Sequence, residues 1–109
     1  MEFRRQPNYN MGLEDILKAI FWKKVETRSV ARKILQKIKK EGIPRDAYER
    51  VQKDLDISQS QYYSIMNRLH ALGLISVQKD EDGFKVWKLS EIFPKQLERL
   101  ATIYRTWKD

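Results

Sequence analysis

The sequence predicts a mainly α-helical fold carrying one small β-hairpin, and three observations lead there. Apolar residues recur at helical spacing through most of the 109-residue chain. Between Leu74 and Leu89 that period gives way to strand-like alternation around a turn-rich tip. Gly42 and Gly73 stand where the helical patterns break off, as helix-stopping glycines do.

The elements follow in order. After a polar leader, Leu13, Ile16, Leu17, Ile20 and Phe21 make one face of an amphipathic helix, with Asn10 placed as its cap and Glu14 and Asp15 near its positive end. Val30, Ala31, Ile34, Leu35 and Ile38 form a second helical stripe, with Arg32, Lys33, Gln36, Lys37 and Lys40 opposite, ending at Gly42 and Pro44. Neither Gly nor Pro separates these two patterns, which read equally as one bent helix or as two. From Arg45 a short third helix turns Ala47, Tyr48, Val51 and Leu55 inward and stops at Asp56 and Ile57. Ser58 opens the fourth, and Gln61 three residues later completes the S-x-x-Q form of a capping box. Tyr62, Ile65, Leu69 and Leu72 are its buried stripe.

Ile75, Val77 and Lys79 then alternate with Ser76 and Gln78, Asp80 to Gly83 form a tip, and Phe84, Val86 and Trp87 lead a return strand to Leu89. Pro94 suits the first turn of a last helix, where Leu97, Leu100, Ala101, Tyr104 and Trp107 line one side. The chain has no internal repeat.

Composition narrows the partners. Hydrophobic residues at 41% and charged residues at 34% allow a buried core beneath a densely charged surface. The absence of cysteine removes disulfides, thiolate zinc sites and cysteine nucleophiles together, and fits a reducing interior. Arg4 and Arg5 precede an apolar stretch, but Glu14, Asp15 and Lys18 make it amphipathic and unlike a signal or membrane-spanning segment. A cytoplasmic protein is the expectation. The net charge of +7 attracts polyanions, nucleic acid foremost. Its distribution is uneven: residues 1–43 hold 11 basic and 5 acidic side chains, residues 44–73 hold 4 of each, and residues 74–109 hold 7 and 6.

Helix, short turn, helix and β-hairpin in succession is the order of a winged helix-turn-helix, and the stretch ISQSQYYSIMNRLHALGLI carries a closer likeness. It resembles the recognition helix of the MarR and PadR regulators, with Tyr63, Met66, Leu69, Gly73, Leu74 and Ile75 at the PadR-like spacing. The resemblance covers about residues 29–89, and implies a DNA-binding fold that dimerises through helices outside the wing. On this reading residues 1–12 are a flexible basic leader and residues 13–109 one winged-helix domain, with the helix-turn-helix core at 29–89 and a C-terminal helix at 90–109.

A helix that enters the major groove needs side chains that donate to and accept from base edges. Gln59, Ser60, Gln61, Tyr63, Ser64 and Asn67 are the candidates for base reading. Arg28, Arg32, Lys33, Lys37, Arg68, Lys79, Lys85 and Lys88 are the candidates for the phosphate backbone, which supplies much of the affinity in such complexes. Taken singly, a Gln-rich or lysine-rich helix face is ordinary solvated surface. Their combination favours DNA.

Asp80, Glu81 and Asp82 at the wing tip repel phosphate, so contact is expected from the wing flanks and not from insertion of the tip. A calcium loop fails there, because counting from Asp80 the glycine is misplaced and Phe84 and Lys85 occupy the fifth and sixth positions, where a ligand and a glycine are needed. His70 is the single histidine, and there is no phosphate-binding glycine loop or nucleophile elbow. No metal, cofactor or catalytic residue is expected, and no enzymatic activity.

The aromatic residues Phe21, Trp22, Trp87, Phe93, Tyr104 and Trp107 fit core and dimer packing better than an effector pocket, because their stripes match helical periodicity. Ile16, Leu17, Ile20 and Phe21 with Leu97, Leu100, Tyr104 and Trp107 are the expected homodimer interface. A two-fold dimer would offer two recognition helices to successive major grooves roughly 34 Å apart. The expected function is sequence-specific binding of double-stranded DNA in transcriptional regulation. The alternatives are a plasmid-partition adaptor that coats DNA and recruits a second protein, and a winged-helix protein-interaction module without DNA.

Overall fold

The computed structural model describes residues 12–21 and 23–109. The expected cap Asn10, nearly all of the basic leader, and Trp22 lie outside the described residues. Two compact units are present, one within Met1–Gln36 and the other Lys37–Asp109.

In the first unit, α1 (Leu13–Ile20) and the start of α2 (Val25–Glu41) are separate helices, which decides the alternative that sequence left open. At the start of α1 the Asp15 carboxylate accepts from the Gly12 N–H at 2.8 Å. Leu17, Ile20, Phe21, Ala31, Ile34 and Leu35 are buried, so the expected stripes are core faces. Arg32 and Glu14 form an ion pair at 2.9 Å.

The second unit holds the end of α2, β1 (Ile43–Pro44), α3 (Tyr48–Leu55), α4 (Gln59–Ala71), β2 (Ile75–Lys79), β3 (Lys85–Leu89) and α5 (Ile92–Lys108). The hairpin is part of a three-stranded antiparallel sheet in the order β1-β3-β2. Strand β1 pairs Ile43 with Trp87 and Pro44 with Val86. It is the element that sequence periodicity missed, because two residues cannot display a period and Pro44 argues against a strand except at an edge, where it stands. The pairing also corrects the start of the third helix from Arg45 to Tyr48: the Arg45 N–H donates to Lys85 O and is tied to the sheet.

Ile38, Ile43, Val51, Tyr62, Ile65, Met66, Leu69, Leu74, Ile75 and Val86 form the buried core of this unit, joining α3, α4 and the sheet. The succession of helix, strand, helix, helix and two-stranded wing is that of a winged helix-turn-helix.

Both ends of α4 are set by local chemistry. At its start the Ser58 hydroxyl accepts from the Gln61 N–H at 3.1 Å. The reciprocal half of the expected capping box is not formed, which leaves the Gln61 side chain outside it. At its end the Leu74 N–H donates to Leu69 O and the Gly73 N–H to His70 O, the paired bonds of a Schellman motif, with Gly73 at φ +84°. The same paired pattern ends α3: Ile57 N–H donates to Gln52 O and Asp56 N–H to Lys53 O, with Asp56 in the left-handed region at φ 53°. Asp is among the few non-glycine residues that accept this conformation.

Helix α5 leaves the body directly after β3. Phe93 N–H donates to Gly73 O and Ser90 N–H to Leu74 O, so the beginning of α5 is bonded to the end of α4. Beyond that joint none of its residues is buried.

Candidate nucleic-acid interface

Helix α4 separates its side chains by face. Tyr62, Ile65, Met66 and Leu69 are buried, whereas Gln59, Ser60, Tyr63, Ser64, Asn67, Arg68 and His70 are exposed and Gln61 is half-buried. All six residues expected to read bases therefore lie outside the buried stripe, as helical spacing requires. The row from Gln59 to Asn67 offers amide, hydroxyl and phenol groups and no carboxylate, a mixture able to donate to and accept from base edges.

The wing adds cations in a defined register. Lys79 and Lys85 are direct partners across β2 and β3, and Lys88 faces Ser76, so two ammonium groups flank the base of the tip. At the tip itself one Asp80 carboxylate oxygen accepts from the N–H groups of Asp82 and Phe84, both at 2.9 Å. Asp80 is thus committed to holding the turn, while Glu81 and Asp82 stand exposed.

The remaining expected phosphate contacts are dispersed. Arg28, Arg32 and Lys33 belong to the first unit, with Arg32 paired to Glu14. Lys37 opens the second unit and pairs with Glu41 at 3.5 Å. Pairing with Glu14 of α1 and with Glu41 of α2 discounts Arg32 and Lys37 as contributors to an open positive field.

The expected dimer residues divide in the same way. Leu17, Ile20 and Phe21 are buried within the single chain and Ile16 is half-buried, so their stripe is already covered and is not a free face. On α5, by contrast, Leu97 is 49%, Leu100 61%, Tyr104 59% and Trp107 79% exposed, joined by Ile92 and Ile103.

Two residues beside α4 escaped sequence reasoning. Tyr48, at the start of α3, places its ring 6.1 Å from that of Tyr63. Arg45 shares with Tyr48, Tyr63, Asn67, His70 and Trp87 the lining of a cavity of ≈ 690 Å³ between α3, α4 and the sheet. Tyr48 falls on the inward stripe of the third helix, which marks it as packing and not as part of a site, whereas Arg45 lies on no stripe and only the pairing of β1 with β3 brings it here. His70 meets Trp87 edge to face at 5.3 Å, joining α4 to the wing. Tyr62 also borders the cavity, and its hydroxyl is buried without a hydrogen-bond partner. Burial raises its pKa above the usual 10.0, and the neighbouring Tyr63 adds to that shift.

Among the described residues no helix is long and apolar enough to cross a membrane. No curated protein matches the sequence. Three solved structures are similar at low identity. The apo form of a ZitR double mutant from Lactococcus lactis is 18% identical, with a TM-score of 0.48 over 90% of this chain and 77% of that one. A possible transcriptional regulator from Methanosarcina mazei Go1 is 17% identical, with a TM-score of 0.46 over 91% of each chain. A SlyA-like transcription regulator from Listeria monocytogenes is 18% identical, with a TM-score of 0.44 over 96% of this chain and 72% of that one. A family model described as an archaeal family matches residues 9–108, nearly the whole sequence, and the chain belongs to that archaeal family.

Proposed function

We propose that this protein binds double-stranded DNA sequence-specifically as a homodimer and regulates transcription. The observation that carries the reading is the division of α4: a polar, carboxylate-free row from Gln59 to Asn67 on the face opposite its buried stripe. Gln59, Ser60, Gln61, Tyr63, Ser64 and Asn67 read base edges. Arg68, Lys79, Lys85 and Lys88 hold phosphates, with Arg28, Lys33 and the paired Arg32 and Lys37 contributing less directly. The net charge of +7 supports such a partner. Leu97, Leu100, Tyr104 and Trp107 on α5 join two copies, which gives a two-fold reader for a near-palindromic site. The protein carries out no catalysis in this role.

Selection of bound fragments from genomic DNA, followed by footprinting and a salt series, tests the proposal. One or two discrete protected sites are expected. With about six phosphates neutralised, the log–log dependence of affinity on salt has a slope of about −5. Protection spreading over a long array would favour a partition adaptor, and a flat salt response would leave the interaction-module alternative.

A further inference from the structure

The cavity beside α4 sets polar groups among apolar ones, with Met66, Val77, Tyr62 and Trp87 in its walls. Arg45 is a full cation, and Tyr48, Tyr63, Asn67, His70 and Ser76 each carry a hydrogen-bond donor. No Asp or Glu lines it, although the chain has 15 of them. A guanidinium that shares a cavity lining with several donors and no carboxylate suits an anion.

The walls say what kind of anion. Tyr48 and Tyr63 hold their rings 6.1 Å apart at 38°, and Trp87 stands on the sheet side against His70. Flat aromatic faces suit a planar heterocycle, which stacks on them regardless of its identity. Asn67 adds an amide able to bond a base edge in two places. At ≈ 690 Å³ the space exceeds what a bare phosphate fills and lies within the range of about 300–1,000 Å³ usual for small-molecule sites. A single guanidinium matches one phosphate and not a chain of them.

We propose that this cavity binds one nucleotide unit, with its phosphate on Arg45 and its base against the Tyr48, Tyr63 and Trp87 wall. The unit comes either from a free mononucleotide or from a strand of bound DNA. Only the second source rests on the DNA-binding reading above. Tyr63 and Asn67 belong both to this cavity and to the polar row of α4, so a free nucleotide held here and DNA held on α4 exclude one another.

The test uses the full chain and two variants, Arg45→Ala and Asn67→Ala. Both residues are exposed, and the bond that ties Arg45 to the sheet is made by its backbone N–H, which alanine keeps. Thermal melting verifies that each variant is folded. Each of the four 5′-mononucleotides is titrated calorimetrically into the free protein, with ribose 5-phosphate and the nucleosides as controls. Saturable binding that needs both base and phosphate, that is weakened about tenfold by Arg45→Ala, and that displaces a selected DNA fragment, identifies a free nucleotide as the occupant. If no mononucleotide binds, but Arg45→Ala weakens the selected DNA about tenfold and lowers the salt slope by about one, the occupant is a nucleotide of the strand. Mononucleotide binding indifferent to both variants overturns the proposal, as does the absence of any Arg45 effect on either ligand. A wild-type chain that binds no DNA defeats the DNA reading alone, and the mononucleotide titration then decides this proposal by itself.

Discussion

Gly73 and Ile92 are packed so closely that a Cβ added to the glycine would stand 2.7 Å from Ile92 Cγ2. Gly83 has the same φ of +84° but open space around it. Alanine at Gly83 bears the left-handed backbone cost alone, about 1–2 kcal/mol, whereas alanine at Gly73 adds overpacking of about 1–3 kcal/mol. Urea unfolding of the two variants measures the difference. Equal losses would show that the joint between α4 and α5 has room to spare.

Tyr62 yields a pH prediction. Its phenol is favoured neutral in the folded chain, so its contribution to stability is complete below pH 10.0 and is lost as pH rises through the elevated folded-state value. Tyr62→Phe removes a buried hydroxyl that has no partner, and is expected to be neutral or stabilising by up to about 1 kcal/mol near neutral pH. It should also flatten the loss of stability above pH 10.0. A variant destabilised by several kcal/mol would mean that the hydroxyl is bonded after all.

The exposed face of α5 is expected to set the oligomeric state. Leu100→Glu with Tyr104→Glu places charges where Leu100 is 61% and Tyr104 59% exposed, so the chain should remain folded and sediment as a monomer. Wild-type protein that sediments as a monomer at high concentration would remove the α5 dimer.

Base-reading and backbone residues should separate in their signatures. Asn67→Ala and Gln61→Ala are expected to relax preference at particular base pairs, by about 1–3 kcal/mol per lost two-point contact. Lys79→Ala and Lys85→Ala should weaken all sequences alike and lower the salt slope by about one each. Competition binding against randomised sites reads both effects. Unchanged preference in both α4 variants, with the fold intact, would take the reading role away from this helix.

Much of this architecture was legible because long periodic stripes and glycine stops leave clear marks. The α4 helix shows both, from Ser58 to Gly73, and its polar row followed from the same spacing that gave its buried one. The C-terminal stripe from Leu97 to Trp107 was equally visible, and the structure leaves it uncovered. What escaped depends on contacts distant in sequence. Strand β1 exists only because Ile43 and Pro44 meet Trp87 and Val86, and the place of Arg45 follows from that pairing. The α1 stripe is plainly apolar in sequence, but periodicity does not say whether such a face is covered by its own chain or by another. Leu17 at 0% exposed answers that for α1.

Helix α5 has 17 residues and none of them buried, and isolated helices of about this length are marginal in water. If its mate is a second copy, the order of the last helix and the pairing of two reading heads become one event governed by protein concentration. Occupancy of a two-fold DNA site then climbs more steeply than in proportion to the amount of chain. The cell's own expression level would act as the threshold signal, with the bare face of α5 as its sensor.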